Sequence, residues 1–210
     1  MMCVVDYGVG NIQALLSLFN RLGIETKRAC KGKDFDNATH LILPGVGHFD
    51  HAIKKFNESG LKESLQDLVL GSKIPLLGVC VGMQMLADGS DEGNLPGLGW
   101  IPGRVKEFAK NSESSKLSLP HMGWNVLHPK KNNLLFSGLD SNFLQFYFLH
   151  SYYFDTKEKE DILATTHYGI DFASVVSHQH IYGVQFHPEK SHKWGEQLLK
   201  NFSKIQNATL

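Results

Sequence analysis

Through the first third of the chain, short apolar runs alternate with stretches whose apolar residues return every three or four positions. Cys3 to Val5 is a short β-rich run that stops at Asp6-Tyr7-Gly8. Ile12, Leu15, Leu16, Phe19 and Leu22 then fall at helical spacing, and Gly23 supplies a C-terminal stop. His40 to Leu43 predicts the next strand, broken by Pro44-Gly45-Val46-Gly47. Two helical stretches follow, one carrying Phe49, Ile53 and Phe56, the other Leu61, Leu65, Leu68 and Val69. Ile74 to Leu77 is apolar on both faces. Continuous apolar strands interleaved with amphipathic helices predict a parallel sheet covered on both sides.

From about Leu98 the pattern changes. Gly, Pro and short β-rich segments dominate, as in Trp100 to Phe108 and Leu144 to Phe154, which predicts hairpin-like antiparallel strands added to the sheet. Lys110 to Lys116 reads as a polar surface loop. Ile181 to Phe186 predicts a last strand leading through His187-Pro188-Glu189 into a helix with Trp194, Leu198, Leu199 and Phe202. No repeat and no interdomain linker interrupts the 210 residues, so the expectation is a single α/β domain over 1–210. Its sheet should be mostly parallel, flanked by helices, with antiparallel strands at one side.

Composition narrows the class. Lys+Arg and Asp+Glu cancel at 21 each, which gives no basic excess of the kind a nucleic-acid footprint requires. No run approaches the roughly 18 to 20 apolar residues of a membrane-spanning helix, and the N-terminal apolar stretch ends too early for a signal peptide. A cytoplasmic protein is expected. Three cysteines without a CxxC spacing suggest neither a disulfide framework nor a zinc ribbon. His178 and His180 lack a third ligand at suggestive spacing, so no metal is expected, and they read as exposed hairpin histidines. Gly8-Val9-Gly10 lacks the third glycine of a dinucleotide loop, Gln13 standing in its place, so no cofactor is expected.

The chemistry concentrates at Gly78-Val79-Cys80-Val81-Gly82, directly after an apolar strand and before Met83 to Leu86, which can begin a helix. This is the context of a nucleophile elbow, with cysteine where hydrolases carry serine. A sharp turn there imposes strained dihedrals on the nucleophile and brings strand and helix so close that only glycine fits two residues to either side. It also sets the sulfur at a helix N-terminus, which favours thiolate, and aims the Val81 amide at a developing oxyanion. A buried, inert cysteine in a glycine-rich turn is the competing reading of that motif alone.

A thiol nucleophile needs a base, and His187 stands out among eleven histidines by ending a strand at the carboxyl edge of the sheet. Pro188 is expected to keep the chain extended, so that His187 and Glu189 project to one side and Glu189 orients the imidazole. Glycines of Pro44-Gly45-Val46-Gly47 sit where a second oxyanion donor belongs, although spacing alone favours a plain turn.

Together these residues resemble the class I, triad-type glutamine amidotransferases, and within them the glutaminase subunits of imidazole glycerol phosphate synthases. The matching stretches include Asp6 to Asn11, Leu43 to Gly47, Gly78 to Gln84, Leu119 to Asn125, Tyr147 to Tyr152 and Tyr182 to Ser191. The resemblance implies a flavodoxin-like, α/β-hydrolase-like fold with Cys80 as nucleophile, His187 as base and Glu189 as orienter. It implies that the amides of Gly47 and Val81 form the oxyanion hole. Gln84 and Glu92 would hold the glutamine head group, with backbone at Ser151 and Tyr152 receiving its carboxylate. It also implies a (β/α)8-barrel cyclase partner that takes the ammonia for histidine biosynthesis, with Asn11, Trp124 and Tyr147 at or near that interface. Three other readings stay open: the same chemistry feeding a surface-polysaccharide sugar amidotransferase, a non-catalytic docking or regulatory subunit, and a cysteine protease or other thiol hydrolase.

Overall fold

The computed structural model describes residues 1–108, 118–140 and 143–206; the polar stretch Lys110 to Lys116 lies outside them. Thirteen strands are present among the described residues: β1 (Met2–Val5), β2 (Thr26–Ala29), β3 (His40–Gly45), β4 (Leu76–Cys80), β5 (Gly89–Ser90), β6 (Gly103–Glu107), β7 (His121–Val126), β8 (His128–Pro129), β9 (Gln145–His150), β10 (Tyr152–Thr156), β11 (Ile162–Tyr168), β12 (Ile170–His178) and β13 (Ile181–Val184). The α-helices are α1 (Ile12–Arg21), α2 (Phe49–Glu58), α3 (Lys62–Gln66), α4 (Val81–Gln84) and α5 (His192–Phe202).

The main sheet runs in the order β2-β1-β3-β4-β13-β12-β10-β6-β5, with β11 on β12 and β8 on β11. Its first five strands pair parallel, and β12 turns the pattern antiparallel. This is the α/β architecture that the patterning predicts. The strands at its centre, β3 and β4, are buried along almost their whole length, and their apolar residues are continuous because helices cover both faces. Helices α1, α2 and α5 each bury an apolar stripe, Leu15, Leu18 and Phe19 in α1, for example.

Two elements depart from the sequence expectation. Thr26–Ala29 forms the edge strand β2, which its polar, half-exposed residues conceal. A separate two-stranded ribbon pairs β7 with β9, His121 opposite His150 and Trp124 opposite Tyr147. The period-2 alternation of a strand gives this ribbon two unlike faces. Met122, Trp124 and Leu149 are exposed on one, while His121, Phe148 and His150 are buried on the other. No helix among the described residues is long and apolar enough to cross a membrane.

Candidate active site

Cys80 ends β4 and opens α4 with φ 56° and ψ −114°. A non-glycine residue pays roughly 1–3 kcal/mol for such a conformation and keeps it only where packing dictates. Here packing does. A Cβ on Gly82 would lie 1.9 Å from the Leu43 carbonyl oxygen, and one on Gly78 would lie 2.7 Å from that of Gly82. Backbone therefore rests directly on backbone where β3, β4 and the elbow meet. The expected helix is shorter than the sequence suggests. It makes one turn, Val81–Gln84, and Leu86 then bonds the carbonyl of Met83 at 3.0 Å. So few aligned peptide units carry little macrodipole, and stabilisation of a sulfur anion falls mainly to side chains and local N–H groups.

His187 reaches the sulfur from β13, which ends at Val184, two residues before the expected Phe186. Its N–H donates to the Tyr147 carbonyl at 2.9 Å, and its carbonyl accepts from Ser191 Oγ at 2.6 Å. Ser191 Oγ in turn accepts from the Tyr147 N–H at 3.0 Å, which ties the segment to β9. The extended chain expected through Pro188 is not what forms. Pro188–Lys190 is a 3-10 turn, because proline's fixed φ suits the first position of a helical turn equally well. The turn folds Glu189 back under the ring, placing Oε1 2.9 Å from Nδ1 of His187.

That contact makes Nδ1–H the donor and leaves Nε2 for the cavity that His187 and Cys80 line together. Burial alone would lower the His187 pKa. The hydrogen bonds and negative charges of Cys80 and Glu189 outweigh it and raise the pKa to about 10. The imidazole is thus held as a cation at neutral pH. Asn11 Nδ2 donates to the same Glu189 Oε1 at 3.4 Å, so Asn11 touches the triad rather than only flanking it.

In front of the sulfur lies a cavity of ≈ 350 Å³ lined by Gly47, Cys80, Val81, Gln84, Glu92, Ser151, Tyr152 and His187. These are eight of the residues singled out from the sequence; Glu189 stands behind His187. The amide nitrogen of Gln84 donates to the Tyr152 carbonyl at 3.3 Å and to Gln185 Oε1 at 3.1 Å. Glu92 Oε2 accepts the Phe49 N–H at 2.8 Å and so fixes the start of α2. Tyr7 Oη donates to the Pro44 carbonyl at 2.7 Å, holding the Pro44 to Gly47 turn beside the elbow.

Sequence reasoning did not single out Val46, Pro120, Leu149, His150 or Lys190, which also line the cavity. Nor did it mark Gln185, whose amide points at Cys80 Sγ from 3.9 Å. All but Lys190 are apolar or neutral residues whose type carries no local signal. Trp124 and Tyr147 lie on the ribbon whose Leu149 and His150 line the cavity, their rings 6.2 Å apart, and Trp124 stacks on His192 at 5.3 Å. The two hairpin histidines correct the sequence expectation. His178 bonds Asp161, whereas His180 is buried with Nε2 2.7 Å from the Val69 carbonyl.

Residues 3–205 match the model of the class I glutamine amidotransferase family. A chain from Bdellovibrio bacteriovorus, the imidazole glycerol phosphate synthase subunit HisH, is 52% identical over 98% of this chain and all of its own. HisH of Leptospira interrogans is 44% identical over the same share of this chain and all of its own. HisH 2 of Pseudomonas aeruginosa is 42% identical, again over 98% of this chain and all of its own. A crystal structure of a glutamine amidotransferase superimposes with a TM-score of 0.73 over 96% of both chains, at 23% identity.

Proposed function

The chain belongs to the class I glutamine amidotransferase family as a glutaminase subunit of the HisH type, and from that premise we propose that Cys80, His187 and Glu189 hydrolyse the side-chain amide of glutamine. The observation that carries this reading is the meeting of a strained cysteine with a charged, carboxylate-backed imidazole at the floor of an open cavity.

Glutamine enters with its amide toward the sulfur. Glu92 offers its remaining carboxylate oxygen to the ammonium group, and Gln84 and the backbone at Ser151 and Tyr152 hold the rest of the head group. Cys80 Sγ attacks Cδ, and the amides of Gly47 and Val81 take the charge on oxygen. His187 protonates the departing amine, releasing ammonia and leaving a γ-glutamyl thioester. It then takes a proton from water, which attacks the thioester and frees glutamate.

Free ammonia is protonated at neutral pH and loses its nucleophilicity, so it must travel inside a complex. The relatives' name supplies the setting, an imidazole glycerol phosphate synthase of which this chain is one subunit. The other subunit in our reading is a (β/α)8-barrel cyclase docked over Trp124 and Tyr147. It consumes ammonia while forming imidazole glycerol phosphate and an aminoimidazole carboxamide ribotide. Glutamine breakdown without an acceptor is wasteful, so the isolated chain is nearly silent and the loaded cyclase switches it on.

A glutamine-like electrophile tests the assignment. Mass spectrometry should find it on Cys80, with glutamine protecting, and Cys80→Ala should abolish glutamine-dependent turnover while leaving turnover with added ammonia. Retained glutamine-dependent turnover in Cys80→Ala refutes the assignment.

A further inference from the structure

We propose that the buried pair His121–His150 is a positioning device that holds the Ser151–Tyr152 bend and Gln84 in register for glutamine. This rests on the reading of the cavity as the glutamine site.

The two imidazoles face each other across the β7–β9 ribbon, His121 Nδ1 2.9 Å from His150 Nε2. Their neighbours fix every proton. His150 Nδ1 lies 2.8 Å from the Tyr152 carbonyl oxygen, which accepts only, so that nitrogen is the donor. His150 Nε2 is then the acceptor, and His121 Nδ1 must be the donor. His121 Nε2 is left as an acceptor, and the Asn125 amide nitrogen stands 3.1 Å from it. One direction of donation therefore runs from Asn125 through both rings to the Tyr152 carbonyl.

That carbonyl is also where Gln84 donates, at 3.3 Å, and Gln84 bonds onward to Gln185 Oε1. Gln185 Nε2 points at the Cys80 sulfur from 3.9 Å. The relay thus ends on the two groups assigned to the substrate's head, Gln84 and the backbone after Ser151. Neither ring touches the reacting atoms except through them. His150 only lines the cavity wall, and His121 is stacked behind it between Phe148 (4.9 Å) and Tyr168 (4.0 Å).

With both rings neutral, one proton lies between the facing nitrogens and no charge is left buried. Burial pushes His121 down to about 4 and His150 down to about 3, which keeps them so at neutral pH. An unsatisfied partner in so dry a place is costly, which is why the chain is continuous.

The test uses the complete synthase complex. His121→Phe keeps an aromatic ring in the stack but removes the donor to His150. The expected result is a KM for glutamine raised on the order of tenfold with kcat changed less than about twofold, the size of one lost buried hydrogen bond. His121→Asn, whose amide can donate near the Nδ1 position, should recover most of the KM. Long-range 15N–1H spectra of the unmutated chain should show both rings as the neutral Nδ1–H tautomer, a measurement that decides the matter even if His121→Phe does not fold. An unchanged KM in His121→Phe, or His150 found as the Nε2–H tautomer, overturns the proposal. A parent complex that hydrolyses no glutamine overturns the site reading, and this inference falls with it. An unchanged KM in an active parent overturns this inference alone.

Discussion

Glu189 gives its two carboxylate oxygens unlike surroundings: Oε1 lies 2.9 Å from His187 Nδ1, while Oε2 is buried without a hydrogen-bond partner among the described residues. A half-satisfied buried carboxylate is unfavourable for folding, and it persists where one oxygen has a task. Glu189→Gln should expose both roles. The amide removes the charge that pairs with the buried His187 cation, so the melting temperature should fall. It also weakens the hold on the Nδ1–H tautomer, and kcat for glutamine should fall by about 10²- to 10⁴-fold. Calorimetry and steady-state kinetics on one preparation decide it, and a variant that loses stability but keeps kcat within about tenfold of the parent would argue for a purely structural carboxylate.

The His187 charge has a pH signature whose sign follows from its pKa. The folded value, about 10, lies above the ordinary 6.5. The folded state therefore binds this proton more tightly than the unfolded chain, and the resulting stabilisation is complete below about pH 6.5. It is lost as pH rises through about 10. After burial, which acts in the opposite direction, the hydrogen bond to Cys80 is the largest influence on the group. Cys80→Ala should therefore lower the His187 pKa, read from its ring carbon shift, and flatten the decline in melting temperature between neutral and alkaline pH. An unshifted ring titration in Cys80→Ala would show that sulfur and imidazole do not interact.

Crowding at the elbow predicts a sharp contrast among glycines. Gly82→Ala drives a methyl against the Leu43 carbonyl at 1.9 Å, and nothing there is a flexible side chain that can give way. Loss of about 3 kcal/mol or more, or failure to fold, is expected from overpacking backbone against backbone. Gly71, at the end of a helical turn, has open space around its Cβ position. Gly71→Ala should be neutral or stabilising by about 0.5–1 kcal/mol. Chemical denaturation of the two variants side by side measures the difference.

These contrasts show what the sequence makes legible. The parallel half of the sheet and the elbow are written in local patterns: continuous apolar runs at β3 and β4, and glycines spaced around one cysteine. The edge strand β2 is not, because Thr26-Lys27-Arg28-Ala29 gains its strand identity from pairing with β1 rather than from an alternation of its own. The turn at Pro188 is equally compatible with extended chain, and only tertiary contacts through Ser191 and Tyr147 decide it. Residues such as His150 and Gln185 become visible only when β9, β10 and β13 converge, since their roles rest on partners distant in sequence.

Glu92 serves the fold with one oxygen and faces the cavity with the rest of its carboxylate. Glu92→Gln keeps an acceptor for the Phe49 N–H but removes the charge. Its melting temperature should stay close to that of the parent while KM for glutamine rises on the order of tenfold or more, as expected for loss of a charge-assisted bond. Glu92→Ala should add a stability loss of about 1 kcal/mol by uncapping α2. Equal KM in parent and Glu92→Gln would remove Glu92 from the binding site.

Trp124 is 43% exposed although it stacks on His192 and meets Tyr147 and Trp194 edge to face. Its ring is thereby held in one orientation before any partner arrives, and Met122 and Leu149 on the same ribbon face extend the apolar surface around it. A rigid exposed tryptophan is the kind of anchor that dominates an interface, because little side-chain entropy remains to be lost on docking. Trp124→Ala should weaken association with the cyclase by about 2 kcal/mol or more, measured by titration calorimetry. The same ribbon carries His121 and His150 on its inner face, so a cyclase docked as proposed over Trp124 would press on the strand pair proposed to hold the glutamine site. Even at saturating cyclase, Trp124→Ala should therefore leave glutaminase activity below that of the parent. Full activity once the complex is saturated would reduce Trp124 to an anchor and separate docking from activation.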